Sequence, residues 1–257
     1  KNYFDTCENI TIIGGGLLGL EAAWSLKKLG KNVNIVEFAP CLLPRQLDEE
    51  LSNKLKKKLE QEGFKIYLSS AAEEILGKDK ANGVLLSNGE ELKTDGILFS
   101  VGIRPNIDLV RDIQIEFNKG IIVDKNLRTN IDNIYAAGDV IQINGSIMGL
   151  WTSSNEQGKI AGANMTGKAL EYREANLFTS LTLGDIKLFS VGDIKEFDKV
   201  HEYKDEINDI HHKLFTTEGK LTGGILFGDT KEMGKLKKAV TEKVDIDSYL
   251  EDAISFK

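Results

Sequence analysis

The stretch IIGGGLLGLEAA, residues 12–23, decides how the rest of the chain is interpreted. It is entered through a short β-branched run, residues 10–13, that ends directly at the glycines. Apolar residues then recur at helical spacing over residues 17–29, and Gly30 follows as a stop signal. The stretch therefore predicts a strand, a tight glycine-rich turn and a helix in immediate succession.

The glycines of this turn form the pattern G-x-G-x-x-G. In a strand–turn–helix context, the first glycine allows the tight turn and the second lets a pyrophosphate approach the backbone. The third lets the helix pack closely on the strand, and the helix N-terminus offers free N–H groups to phosphates. A glycine turn without a ligand is the plainer alternative. The predicted dinucleotide-binding residues are Gly14, Gly15, Gly16, Leu17, Leu18 and Gly19.

Glu37 ends a second predicted strand, residues 32–38. An acid at this position bonds the adenosine ribose hydroxyls, and its charge repels a 2′-phosphate, so we expect NADH to be preferred over NADPH. Arg45 lies nearby in the sequence and is the residue that would weaken this preference. A methyltransferase also has a glycine-rich first loop and an acid after its second strand, so these features alone leave that alternative open.

The next segments continue the same alternation of helix and strand. A helix is predicted from about Asp48, because Leu51, Leu55 and Leu59 fall on one face, and a third strand is predicted over residues 64–68. Strand–helix–strand–helix–strand implies a parallel sheet with right-handed crossovers. The fold class is therefore α/β.

Residues 72–101 have a different pattern. They contain short apolar segments with Asn88-Gly89 as a hairpin turn, which predicts a βββ meander over one face of the parallel sheet. The segments GIIVD and NIYAAGD then predict a further strand pair, followed by a helix over about residues 154–166.

The last block reads as a small α+β domain. It has predicted strands at 181–183, 186–191 and 221–227 and a lysine-rich terminal helix. Its histidines, His201, His211 and His212, lie in a polar stretch and are predicted to be surface residues rather than metal ligands. The predicted domains are residues 1–101, 102–170 and 171–257.

Composition narrows the class of protein. The chain has 257 residues and a net charge of −7, which gives no general attraction to nucleic acid or to an anionic membrane. Its apolar runs are strand-sized, so we expect no membrane span. Cys7 and Cys41 form no C-x-x-C pair and no metal spacing, and the first residues lack a secretory signal pattern. We therefore expect reduced thiols and a cytoplasmic location.

Five motifs, in order, carry a family resemblance: IIGGGLLGLEAA, EFAPCLLPRQLDEELS, SVGIRPN, IYAAGDV and LWTSSNEQGKIAGANMTG. Together they resemble the FAD-dependent pyridine nucleotide oxidoreductases. Within that family, LLPRQLDEE resembles the branch that holds NADH:rubredoxin oxidoreductases and the flavin portion of NAD(P)H nitrite reductases. The implied architecture is a Rossmann-like NAD(P)-binding domain with its meander, the trailing part of a FAD-binding domain, and a small α+β C-terminal domain.

The resemblance also implies roles for particular residues. Asp139, paired with Gly138 at a strand end, would accept a hydrogen bond from the ribityl chain of FAD, and Trp151 would begin a helix directed at the flavin. Glu21 would lie near the nicotinamide, and Gly102 would lie where the chain passes between the two nucleotide sites. The plainer alternatives are a strand-end cap for Asp139, a core aromatic for Trp151 and a solvated charge for Glu21.

The activity implied is an NADH-dependent flavoprotein reductase, with NADH and FAD as cofactors and rubredoxin or a nitrate or nitrite reductase centre as acceptor. No side chain would act as nucleophile or proton donor, and no metal site is predicted. The glycine-rich motif that binds the ADP half of FAD does not occur in this sequence, so we interpret the chain as the C-terminal two-thirds of a flavoenzyme. The alternatives are a dinucleotide-binding module without activity and an NADH oxidase that uses oxygen.

Overall fold

The computed structural model describes residues 2–173 and 178–253. The chain forms two compact units. The first unit comprises Lys1–Val101 together with Asn176–Lys257, and the second comprises Gly102–Ala175. The helices are α1 (Asn2–Asp5), α2 (Leu17–Lys28), α3 (Glu49–Gln61), α4 (Trp151–Met165), α5 (Met233–Glu242) and α6 (Ile246–Asp252). The strands of the first half are β1 (Asn9–Ile13), β2 (Asn32–Val36), β3 (Lys65–Tyr67), β4 (Ala72–Leu76), β5 (Gly83–Leu86), β6 (Glu91–Lys93) and β7 (Gly96–Phe99). The remaining strands are β8 (Ile121–Ile122), β9 (Ile141–Gln142), β10 (Phe178–Leu183), β11 (Ile186–Gly192), β12 (Lys199–Asp205), β13 (Ile210–Thr217) and β14 (Lys220–Phe227).

A four-stranded parallel sheet forms the centre of the first unit, in the order β3-β2-β1-β7. The buried β-branched residues of β1 and β2 suit a sheet that is covered on both faces. Between these strands, α2 buries Leu20, Ala23 and Leu26. Asp48 is the N-cap of α3, and its side chain accepts from the Leu51 amide at 2.9 Å. The predicted α/β fold with crossover helices is confirmed.

The predicted meander is also present. Strands β4, β5 and β6 form an antiparallel sheet, and Gly89 has φ +83° at the hairpin between the last two. Val84, Leu86 and Leu92 pack with Ile13 and Val36 of the parallel sheet. The next strand, β7, returns to pair in parallel with β1, which places its C-terminal end beside the glycine loop.

The C-terminal part of the first unit is a five-stranded antiparallel sheet, ordered β10-β11-β14-β13-β12. Helices α5 and α6 supply Leu236, Val240 and Ile246 to the core on one side of this sheet. On the other side, sheet residues such as Phe215 and Phe227 share one core cluster with residues of α2 and α3. The predicted small α+β domain is thus part of the same compact unit as residues 1–101.

Two strands of this sheet, β12 and β13, were not predicted from the sequence. Their polar composition hides them, since His211, His212 and Lys213 are consecutive residues of β13. These three side chains are nonetheless buried, with exposed fractions of 4%, 0% and 6%. The prediction that His211 and His212 are surface residues is therefore wrong, and His201 is half-buried. His211 bonds Glu202 and His212 bonds the Asp229 carbonyl oxygen, so polar contacts permit this burial.

The second unit has little regular structure besides α4. Strands β8 and β9 are two residues long and pair in parallel. The predicted strand over NIYAAGD is wrong, because only Tyr135 makes an isolated bridge, to Arg128, and Gly138 adopts a positive φ of +88°. Helix α4 begins at Trp151, three residues before the predicted start. Among the described residues, no helix combines the length and apolarity needed to cross a bilayer.

Candidate functional site

The glycine loop is shaped by two close backbone approaches. Gly14 has φ +115°, and a Cβ there would lie 2.2 Å from the carbonyl oxygen of Ser100. Its amide donates to the Val36 carbonyl oxygen at 2.7 Å, which ties the turn to β2. A Cβ on Gly19 would lie 2.0 Å from the Gly14 carbonyl oxygen. Only glycine fits either position, as the predicted tight turn and close helix packing require.

Gly16 faces open space. It is the N-cap residue of α2, it provides no side-chain cap, and a Cβ there would meet no described atom within 4 Å. Leu17 and Leu18 follow as the first helical residues, with Leu18 72% exposed. The first N–H groups of a helix carry a positive partial charge, so this terminus can accept a phosphate where Gly16 leaves room for it.

Glu37 lies directly against the loop. Its carboxylate oxygens accept hydrogen bonds from the Gly15 amide at 2.6 Å and from the Ala39 amide at 2.8 Å. Leu42 packs over the same glycine, because a Cβ on Gly15 would lie 2.6 Å from its Cδ2 atom. Arg45 is exposed on the loop that follows. The acid is thus held beside the glycine turn, with its position fixed by two backbone donors.

Glu21 and Gly102 lie at the edges of this arrangement. Glu21 is exposed on α2, one turn after the first residue of the helix. Its exposure agrees both with a position near a bound ligand and with a solvated charge. Gly102 is the first residue of the second unit and has φ +82°. Their roles toward a nucleotide stay predictions.

In the second unit, α4 is joined to the turn that carries Asp139. The Gly138 amide donates to Gln157 Oε1 at 2.9 Å, and the Ser154 hydroxyl donates to Asp139 Oδ1 at 2.8 Å. Asp139 itself is exposed and lies in a turn closed by the Ile141 amide, which donates to the Gly138 carbonyl oxygen at 3.2 Å. The carboxylate is therefore held at the start of a helix, although not at the end of a strand.

The N-terminus of α4 is open. Leu150 occupies the N-cap position and provides no side-chain cap, and the first turn contains no acidic residue. Trp151 is 78% exposed, so the interpretation of Trp151 as a core aromatic is wrong. Gln157 is buried, yet its Nε2 atom has no hydrogen-bond partner within the described part of the chain. This helix end can stabilise negative charge on a bound group, and the exposed indole offers it an aromatic surface.

A cluster of charged residues lies at the start of α3 and on strands β12 and β13. It brings together Glu50, Glu202 and His211, a set of side chains that could hold a metal ion. The ammonium groups of Lys213 and Lys204 already bond Glu50, at 2.6 and 2.8 Å, and both also reach Glu202. The two lysines neutralise the carboxylates, and the cluster is an ion-pair network.

Four residues at these sites were not found from the sequence: Leu42, Ser154, Gln157 and Lys213. The polar residues of α4 carried a usable signal, since Ser154 and Gln157 fall three apart on one helix face. Lys213 had no such signal, because two of its partners, Asp48 and Glu50, are 165 and 163 residues away in the sequence.

Comparison with known proteins identifies the family. Residues 2–158 match the family described as pyridine nucleotide-disulphide oxidoreductase, and residues 178–244 match the rubredoxin NAD+ reductase C-terminal domain. The first match covers more than half of the chain, which therefore belongs to the pyridine nucleotide-disulphide oxidoreductase family. The resemblance inferred from the sequence motifs is confirmed.

Particular relatives are consistent with the same branch. The chain is 36% identical over 238 residues to the NAD(P)H nitrite reductase of Bacillus subtilis (strain 168), covering 91% of this chain and 30% of that protein. It is 32% identical over 247 residues to the NADH-rubredoxin oxidoreductase of Clostridium acetobutylicum, covering 95% and 62%. The crystal structure of the NADH:rubredoxin oxidoreductase from Clostridium acetobutylicum matches with a TM-score of 0.74 at 30% identity, covering 96% and 63%. The chain thus spans less than two-thirds of the length of these relatives.

Proposed function

We propose that this chain is part of an NADH-dependent flavoprotein reductase, an NADH:acceptor oxidoreductase. The reaction passes hydride from NADH to FAD, and electrons then go to rubredoxin or to a nitrate or nitrite reductase centre. One observation carries the proposal: the glycine loop with Glu37 and the rubredoxin reductase type of C-terminal domain occur in one compact unit. Two relatives of the chain are named NAD(P)H nitrite reductase and NADH-rubredoxin oxidoreductase.

The residues of the glycine loop would hold the dinucleotide. The N–H groups at the start of α2 face the open space beside Gly16 and would bind the pyrophosphate. Glu37 would accept from the adenosine ribose hydroxyls and would repel a 2′-phosphate, which makes NADH the preferred nucleotide. Glu21, on the next turn of α2, would lie near the nicotinamide.

The residues around α4 fit a flavin. Asp139 offers an exposed carboxylate for a ribityl hydroxyl, Trp151 offers an aromatic surface, and the uncapped helix N-terminus offers positive partial charge. FAD, when bound, supplies the chemistry that accepts a hydride and releases electrons singly. The protein's own contribution is alignment and electrostatics, and no side chain is required as nucleophile or proton donor.

The choice of acceptor is tested with the complete protein that contains these residues. Steady-state oxidation of NADH is compared with rubredoxin, nitrite and oxygen as acceptors. We expect rubredoxin, or nitrite where the complete protein carries its own reductase centre, to be reduced faster than oxygen. A higher rate with oxygen would favour an NADH oxidase, a name that one of the relatives carries.

A second candidate function is a dinucleotide-binding module without activity as residues 1–257 stand. It is favoured by the exposure of Asp139 and Trp151, which the described residues leave largely uncovered. Purified residues 1–257 should then bind NADH and retain FAD weakly or not at all. Stoichiometric flavin after purification would contradict this.

The domain division and the location belong to the same proposal. We assign residues 1–101 to NAD binding, 102–170 to the FAD-binding domain and 171–257 to the C-terminal domain. In support, the two family matches end at residue 158 and begin at residue 178. Cys7 and Cys41 are free thiols, which supports a reducing compartment such as the cytoplasm.

A further inference from the structure

Lys213 is a buried charged residue of the first unit. It lies in β13 with a side chain only 7% exposed, and its Nζ atom is 2.6 Å from Asp48 Oδ2, 2.6 Å from Glu50 Oε2 and 3.1 Å from Glu202 Oε1. Burial alone would lower its pKa, but the hydrogen bonds that Lys213 donates to these carboxylates outweigh that effect and raise the pKa above its ordinary value. The lysine is therefore a fixed cation that joins the C-terminal sheet to the start of α3.

Asp48 has two functions at that junction. Its Oδ1 atom caps α3 by accepting from the Leu51 amide at 2.9 Å, while Oδ2 binds Lys213. A second attachment lies further along the helix, where Lys54 and Lys58 both pair with Asp209 in the turn between β12 and β13. The C-terminal sheet and its turn thus contact α3 both at its N-cap and in its middle.

The loop over residues 38–48 connects this junction to the nucleotide site. Leu42, Leu43 and Leu47 are buried in the loop, and Leu43 adopts φ +50°, a conformation that is strained for a leucine. The Ser52 hydroxyl of α3 donates to the Leu42 carbonyl oxygen at 2.8 Å, and Leu42 packs over Gly15. A strained loop persists only when its surroundings hold it, and here its surroundings include α3 and the C-terminal sheet.

We propose that Lys213 is a positioning residue for the NADH site, through which the C-terminal sheet holds the 38–48 loop and, with it, Glu37 and Gly15. The inference rests on the proposed function, because it assigns the fixed carboxylate of Glu37 to the ribose of NADH. A loosened loop would let Glu37 leave the Gly15 amide. The site would then bind NADH less tightly and would reject NADPH less strongly.

The chain provides a matched control in Lys204. It bonds Glu50 and Glu202, two of the carboxylates that Lys213 bonds, but it is 42% exposed and does not contact the Asp48 cap in the described contacts. Lys213→Met and Lys204→Met remove the same charge and keep a similar side-chain length. Only the first change removes the buried cation that holds the start of α3.

The experiment measures Kd for NADH and NADPH in residues 1–257 by nucleotide fluorescence. We expect Lys213→Met to raise Kd for NADH about tenfold and to reduce the difference in Kd between NADH and NADPH. The Kd values of Lys204→Met should stay within about twofold of wild type. The proposal is overturned if Lys213→Met has wild-type Kd values and a wild-type ratio and only its unfolding midpoint falls. That result would give Lys213 a structural role alone.

A ligand-free measurement separates this proposal from the proposed function. Amide hydrogen exchange should be faster at Gly15 and Ala39 in Lys213→Met, and unchanged there in Lys204→Met. If wild type binds no NADH, the proposed function fails, and these two amides still decide whether Lys213 holds the loop. Wild-type exchange in Lys213→Met would reject the proposal.

A second variant covers the case in which Lys213→Met does not fold. Glu50→Gln removes one of three carboxylate partners and keeps the Asp48 cap of α3. We expect Kd for NADH to rise about two- to threefold, with faster exchange of the same two amides. Unchanged affinity and unchanged exchange in Glu50→Gln would overturn the proposal.

Discussion

Two turns of the molecule depend on a glycine at positive φ: the turn at the end of β1 and the turn that carries Asp139. They differ in how far the protein itself covers and hydrogen-bonds their polar groups. In the first turn, Glu37 bonds two backbone amides, and neighbouring atoms lie close around Gly14. In the second, Asp139 is exposed and Trp151 is 78% exposed at an uncapped helix N-terminus. The backbone of the protein fixes the polar groups of the first region, whereas the second region leaves a carboxylate and an indole exposed.

This difference has a functional consequence. A preorganised site loses little free energy to ordering when its ligand binds, so the first region should bind NADH without help from flavin. In the second region, affinity for flavin should depend on contacts beyond those that these residues provide.

The largest expected effect is at Gly14. Gly14→Ala would force a residue with a Cβ into φ +115° and would place that atom 2.2 Å from the Ser100 carbonyl oxygen. Strain and overpacking together should cost roughly 3 kcal/mol or more of unfolding free energy. Urea unfolding of residues 1–257 measures this loss.

Gly16→Ala is the control for this substitution. Its Cβ would meet no described atom within 4 Å, so stability should stay within about 1 kcal/mol of wild type. NADH affinity should nevertheless fall at least about tenfold, because the methyl group enters the space assigned to the pyrophosphate. Equal stability losses in the two variants would show that the loop is not shaped as described.

The second effect concerns the choice of nucleotide. Glu37→Ala should weaken NADH binding by about 1.5–3 kcal/mol, the contribution of a charged hydrogen bond, and should narrow the gap to NADPH. Glu37→Gln keeps an oxygen for the Gly15 amide, so it should lose less NADH affinity while still accepting NADPH better. Titrations with both nucleotides measure the ratio. An unchanged ratio would place the ribose contact elsewhere, and Arg45→Ala would then be the next variant.

A smaller effect is expected in the second region. In the complete protein, Asp139→Ala should lower flavin content and Asp139→Asn should lower it less, since asparagine keeps a carbonyl acceptor. The loss should be about 1 kcal/mol in flavin affinity. Flavin absorbance per protein after dialysis measures it, and NADH affinity should not change.

Ser154→Ala is the matched control for Asp139. It removes the 2.8 Å hydrogen bond to Asp139 and leaves the carboxylate in place. Flavin content should therefore remain close to wild type. If Ser154→Ala and both Asp139 variants lose apoprotein stability equally and keep their flavin, then Asp139 holds α4 and not the cofactor.

The smallest expected effect is on the free energy of unfolding at acidic pH. Hydrogen bonds from Lys204 and Lys213 lower the pKa of Glu50 from 4.5 to about 2, so the folded chain favours its ionised form. The stabilisation is complete above pH 4.5 and is lost as the pH falls toward 2. Because Glu50 is half exposed, we expect less than about 1 kcal/mol. The unfolding free energy, measured in urea at several pH values, should depend less steeply on pH in Glu50→Gln than in wild type. An identical pH dependence would show that Glu50 takes no part in the ion-pair network at the start of α3.

Local patterns predicted the first region well. Glycine spacing, the β-branched run before it and the leucines of α3 depend on neighbours in the sequence, and the structure has each element where the pattern placed it. The hairpin at Asn88-Gly89 was predictable for the same reason, because turn chemistry is local. Glu37 lies directly after β2, close to the predicted strand end, but its hydrogen bond with the Gly15 amide was not predicted.

The failures have a different physical cause. Lys213 and Asp48 are 165 residues apart, so no local pattern could show that a lysine in β13 is buried by its partners. The segment before Asp139 was predicted as a strand from its apolar residues, but it has only one isolated bridge, at Tyr135, and turns at Gly138. Long-range ion pairs and irregular backbone are the features that single-sequence periodicity does not encode.

Our central proposal is that NADH, held by the glycine loop and Glu37, passes its hydride to the flavin. It is tested most directly by mixing the complete flavin-loaded protein with NADH in an anaerobic stopped-flow instrument. The account predicts that the flavin absorbance bleaches at a rate that saturates with NADH, and that NADPH bleaches it far more slowly. An absence of bleaching with NADH, or equal rates with both nucleotides, would contradict it.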